Sequence, residues 1–158
     1  MRRLAGMIAV MVATAALAAG CGSSSGALSV KKPGTLSKPE WIAAADNICS
    51  AAKQRASALP KPTTTDELVT QLDRLIEIFA KEEKDLRSLV PEAAEQASVN
   101  TVIEAAGLQV TLARGLQTVA RSGDTTAITS FTAANAAKVQ QAQRVAQQYG
   151  LKVCGNPR

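Results

Sequence analysis

From Ser37 onward, apolar residues recur every three or four positions, the period of amphipathic helices. Trp41, Ala45, Ile48, Ala52, Ala56 and Leu59 mark the first stripe. Ser37-x-x-Glu40 is a capping box ahead of it, and Pro39 suits a first helical turn. Pro60-Lys61-Pro62 ends the pattern. Thr64-x-x-Glu67 opens a second stripe through Leu68, Leu72, Leu75, Phe79, Leu86 and Leu89. One turn is missing from it, at Glu82-Glu83.

Pro91 restarts the helix, and a third segment is expected from about residue 91 to residue 121. Its stripe is Val102, Ile103, Ala106, Val110, Ala113, Leu116 and Ala120. Ser122-Gly123-Asp124 reads as a turn, with Asp124 as the next N-cap. The fourth segment carries Ile128, Phe131, Val139, Ala142, Val145, Ala146 and Tyr149, and Gly150 caps it. Neither a period-2 strand nor an internal repeat is present. Four amphipathic helices with short connections predict an all-α domain over residues 38–158, an antiparallel up-down four-helix bundle.

The N-terminus has a different pattern. Arg2 and Arg3 precede an apolar run from Leu4 to Leu17, too short to span a bilayer comfortably. The run ends in Leu17-Ala18-Ala19-Gly20-Cys21, which resembles the bacterial lipobox, with Ala18 where Leu is commonest. Residues 1–20 are therefore expected to be a lipoprotein signal peptide and Cys21 the lipidated residue, anchored by acyl chains such as palmitate. An ordinary secretory signal cleaved near Ala19 is the alternative. Residues 21–37 read as a flexible tether, including Gly22, Ser23 to Ser25 and Gly26. The sixteen residues after Cys21 span about 20–25 Å on average. Lys31 and Lys32 either solvate this linker or attract anionic headgroups, each worth about 1 kcal/mol near the surface. The expected location is the outer face of the cytoplasmic membrane.

Composition narrows the chemistry. The 158 residues include no His, which removes most zinc sites and the Ser-His and Cys-His pairs. Trp41, Phe79, Phe131 and Tyr149 are the only aromatics, too few for base-stacking platforms. Ala fills 30 positions, which suits closely approaching helices. Loss of Arg2 and Arg3 with the signal lowers the net charge from +5 to +3. Export and that small excess argue against nucleic acid as a partner. The charge is segregated: residues 66–104 carry net −6 and residues 105–158 net +5. Acidic helix two between basic neighbours accounts for this more simply than an anion-binding patch at Lys138, Arg144 and Lys152.

With Cys21 acylated, Cys49 and Cys154 remain, and an exported chain oxidises such a pair. Cys49 lies about 16 Å along helix one. In an up-down bundle the start of helix one and the end of helix four share one end of the domain. Gly150 turns the chain back, and four extended residues reach about 13 Å, enough to meet Cys49. The absence of Cys-x-x-Cys makes this bridge structural rather than redox-active.

Two segments carry a resemblance. Trp41-Ile42-Ala43-Ala44-Ala45-Asp46-Asn47-Ile48-Cys49 and the Gly150–Gly155 ending (Gly-Leu-x-x-Cys-Gly) resemble small secreted or lipid-anchored helical proteins of high-GC Gram-positive bacteria. The resemblance supports the bundle and the disulfide and implies no activity, cofactor or site.

Few residues suggest chemistry. Glu82, Glu83 and Asp85 could act as acid and base or hold a cation, but a lone acidic group without His is a poor metal site. The simpler expectation is that all three face water beside Lys81, Lys84 and Arg87. Asn135 lies at the seam of helix four, either fixing register or at its edge. Arg114 is expected to pair with an acid of helix two. No phosphate loop, nucleophile elbow, zinc or haem motif is present. The expectation is a non-enzymatic, cofactor-free binding or interaction module recognising an envelope protein or other envelope component. The alternative is a carrier of a small apolar ligand, with a pocket near Phe79, Leu116 and Phe131.

Overall fold

The computed structural model describes residues 34–156. The expected signal peptide, Cys21 and the linker up to Pro33 lie outside the described residues, as do Pro157 and Arg158. Helices α1 (Lys38–Ser57), α2 (Thr65–Ser88), α3 (Gln96–Ala120) and α4 (Thr125–Tyr149) make an all-helical domain. The described residues contain no strand, only an isolated bridge between Leu36 and Pro91.

The caps act as the sequence suggests. The Glu40 carboxylate accepts from the Ser37 N–H at 2.8 Å and from its hydroxyl at 2.6 Å. Thr64 Oγ1 accepts from the Glu67 N–H, and the Glu67 carboxylate accepts from the Thr63 and Thr64 N–H groups. These bonds hold the Glu67 pKa below its ordinary value, led by the backbone of Thr63. Asp124 accepts from the N–H groups of Thr126 and Ala127. Gly150 takes a left-handed φ of 112°, which closes α4. The Leu151 N–H reaches the Ala146 carbonyl and buries the Leu151 side chain.

Two expectations need correction here. The third helix begins at Gln96, not near Pro91. Residues 89–92 are instead extended beside Leu36: its N–H donates to the Val90 carbonyl at 2.8 Å, and its carbonyl accepts from the Glu92 N–H at 3.0 Å. Pairing with Leu36 on both sides of Pro91 holds this stretch extended, so the helix starts later. For the same reason Leu36 and Ser37, placed in the tether by sequence, belong to the helical body. Leu36 packs against the core.

Contacts between elements are made by α1 with α2, α2 with α3, and α3 with α4. Two hydrophobic clusters result. One joins Trp41 and Ala45 of α1, Leu86 of α2, Val99, Val102 and Ile103 of α3, and Ala146, Tyr149 and Leu151. Trp41 is fully buried, with its ring edge-on to Tyr149 at 5.5 Å between centroids. The other cluster gathers Leu72, Ala113 and Ala120, with Leu68, Phe79, Leu116 and Ile128 against them. Helix α1 contributes nothing to the second cluster.

The sulfur atoms of Cys49 and Cys154 are bonded, with Cα atoms 5.2 Å apart. The tail from Leu151 to Asn156 reaches Cys49 through bends and turns rather than as the extended stretch expected from sequence. Asp46 explains how. Its carboxylate accepts from the N–H groups of Lys152, Val153 and Cys154 at 3.0, 2.8 and 3.3 Å. Gln147 of α4 secures the other side by donating to the Gly155 carbonyl at 2.7 Å.

Candidate functional site

Where α1 is missing from the second cluster, α2, α3 and α4 leave space between them. A cavity of about 530 Å³ is lined by Leu72, Leu75 and Phe79 of α2, Leu112 and Leu116 of α3, and Phe131 and Val139 of α4. No α1 residue lines it. Its size lies within the roughly 300–1,000 Å³ of small-molecule sites. Phe79, Leu116 and Phe131, singled out in the sequence as a possible pocket, line this one space.

Small side chains, Ala113 of α3 and Ala136 of α4, also line the cavity. The middle of α4 runs Ala133, Ala134, Asn135, Ala136 and Ala137, so Phe131 and Val139 are its only large apolar residues there. Val139 is 40% exposed, which leaves an apolar rim open to solvent. Gly115 lets the Phe131 ring lie against the α3 backbone. A Cβ at Gly115 would come within 2.7 Å of Phe131 Cζ.

A smaller chamber of about 290 Å³ shares Phe79, Gln109, Leu112, Val139 and Gln143 with the larger one. It runs toward the first cluster, past Leu86 and Ala146, to the disulfide. Glu82 lines it and is only 2% exposed. This corrects the expectation that Glu82 faces water. From Leu72, helical spacing passes through Phe79 to Leu86, and Glu82 falls within that inward row. The other two acids are only partly exposed, Glu83 with its carboxylate beside Gly107 of α3, and each is paired within α2. Glu83 meets Arg87 at 2.6 Å, and Asp85 meets Lys81 at 2.7 Å. The three carboxylates therefore form no shared site, and among the described residues no acidic or cysteine group is placed to hold a metal.

Two further polar residues differ from expectation. Arg114 is exposed. The polar tie between α2 and α3 is Gln117, buried, which donates to the Asp73 carboxylate. Asn135 bonds within its own helix, donating to the Phe131 carbonyl at 2.8 Å and accepting from Lys138. It lines the larger cavity at the seam's edge and does not set register.

No protein-family model matches the chain, and neither the curated proteins nor the solved structures contain a match. Among the described residues, no helix is long and apolar enough to cross a membrane.

Proposed function

We propose that this is an exported, lipid-anchored binding protein whose helical domain takes a small apolar ligand between α2, α3 and α4. The supporting observation is the 530 Å³ cavity, walled by leucines and phenylalanines and bypassed by α1. In this reading Cys21 carries the acyl anchor, and residues 22–35 tether the domain outside the cytoplasmic membrane. The protein is not an enzyme. The kinship is with the small exported helical proteins of high-GC Gram-positive bacteria that its two cysteine segments resemble.

The same reading makes the domain an up-down bundle with neighbouring helices antiparallel. Leu36 beside Pro91 supports opposed α1 and α2. Contact of Leu72 with Ala113 and Ala120 supports opposed α2 and α3. Phe131 against Gly115, with Tyr149 back beside Trp41, supports the return of α4.

A second reading, an envelope protein docking on the domain, draws on the solvent-exposed Val139 at the rim. The two separate on whether the space admits a small molecule. The test is titration of the full-length chain with the neutral fluorophore N-phenyl-1-naphthylamine, in nanodiscs and against empty nanodiscs. Saturable enhancement that Leu116→Trp abolishes is expected. Enhancement equal to that of empty discs would leave the docking reading and remove the carrier.

A further inference from the structure

The larger cavity has an uncharged lining. Among the described residues, no Lys, Arg, Asp or Glu contributes to its wall. Glu82 lines only the smaller chamber and has its own partner within the protein, so it is not a group of this cavity. The polar groups of the larger cavity are side-chain amides and one hydroxyl. Thr132 and Asn135 spend hydrogen bonds on α4 itself, donating to the carbonyls of Ile128 and Phe131. Gln109 of α3 and Gln143 of α4 differ. Both are half-buried and both line the larger and the smaller chamber. Among the described residues neither side-chain amide has a hydrogen-bond partner.

Moving an ionised group from water into an apolar setting is costly unless an opposite charge meets it. This cavity offers a charge of neither sign, so an ammonium and a carboxylate are both disfavoured in it. A primary amide carries two donors and an acceptor oxygen, so two of them side by side suit a head that both donates and accepts. The wall beyond them is apolar on Leu72, Leu116 and Phe131.

We propose that the ligand is an uncharged amphiphile, its amide or hydroxyl head hydrogen-bonded by Gln109 and Gln143 and its apolar body lying against Leu72, Leu116 and Phe131. The inference rests on the carrier reading above and adds to it the ligand's charge and the place of its head.

The test is isothermal titration of the full-length chain in neutral-lipid nanodiscs with octanamide, octylamine and octanoate, corrected for empty discs. It is run at about pH 7, where the amine and the acid are ionised. Octanamide is expected to bind at least about ten-fold more tightly than either ion. Gln109→Leu with Gln143→Leu, checked for helicity by circular dichroism, is expected to weaken octanamide by about three- to ten-fold. Either ion binding as tightly as octanamide would overturn the inference and leave the carrier standing. An octanamide affinity unchanged in the folded double variant would overturn the role of the two glutamines. Saturable naphthylamine binding with none of the three octyl compounds would overturn the inference too, and failure of naphthylamine as well would remove the carrier reading itself. The comparison on the unaltered chain decides even if the double variant fails to fold.

Discussion

Asp46 holds Val153: its carboxylate accepts the Val153 N–H at 2.8 Å across 107 residues of sequence. The same group takes the N–H of Lys152 and Cys154, so three successive donors of the tail converge on one side chain. Cys49 lies one turn further along α1 and closes the tail covalently. Charge and sulfur thus fix the end of the chain against the first helix. The disulfide also forms part of the wall of the smaller chamber, which Cys49 and Cys154 both line.

Asp46→Ala leaves those donors without their acceptor. Lys152 is exposed and Val153 and Cys154 are part-buried, so water replaces some of the lost bonds and the cost lies toward the low end of the about 1–3 kcal/mol of a buried donor left unpaired. The expected outcome is a loss of that size in urea unfolding, with the disulfide still formed. Asp46→Asn, which keeps one acceptor oxygen, is expected to lose less.

The Cys49–Cys154 bond closes a loop with a sequence separation of 105. On the chain-entropy account its removal costs up to about 4–5 kcal/mol. Cys49→Ser with Cys154→Ser is expected to lower the urea midpoint accordingly while helicity is retained in buffer. Thiol labelling of the unfolded, unreduced chain is expected to find neither cysteine free.

Tyr149 predicts a loss of stability in alkali. Burial, with the carboxylate of Glu95 nearby, holds its pKa well above the ordinary value of 10.0. Among the described residues its hydroxyl has no hydrogen-bond partner, so Glu95 acts through charge and proximity rather than a formed bond. A pKa raised on folding means the folded state keeps a proton that the unfolded state releases. The contribution is full below the unfolded pKa and falls as pH rises through about 10. Tyr149→Phe is expected to flatten the slope of stability above that pH. Lys38 Nζ lies 4.4 Å from the centroid of the same ring.

Gly115 is predicted to resist alanine. In an open helix that change gains about 1 kcal/mol. Here the new Cβ would lie 2.7 Å from Phe131 Cζ, and overpacking costs about 1–3 kcal/mol. The expected result is a thermal midpoint no higher than that of the unaltered chain, with weaker naphthylamine binding as the ring is pushed into the cavity.

Most of the architecture was legible in the sequence because its boundaries are written in short-range chemistry. Ser37-x-x-Glu40, Thr64-x-x-Glu67, Asp124 and Gly150 each satisfy orphan backbone groups locally, and each lies where it was read. The start of α3 was not legible, since Pro91 is held by Leu36, more than fifty residues away. Glu82 shows the opposite conflict. Its spacing placed it in the apolar row, but its charge argued it outward, and packing against α3 and α4 decided for spacing. Asp46 was visible in the Trp41–Cys49 segment without a role. A carboxylate one turn before a cysteine that binds a turned tail was the available signal. The cavity was foreshadowed by alanines in α4 and by three named side chains, but its bypass by α1 is a matter of tertiary packing.

The central claim is that the space between α2, α3 and α4 carries a ligand. Native mass spectrometry of the full-length chain, released from the membrane of the cell that makes it, tests this most directly. The account predicts a reproducible adduct of discrete mass, lost on unfolding and absent from Leu116→Trp. A folded, disulfide-bonded chain whose mass is that of the acylated polypeptide alone would contradict it.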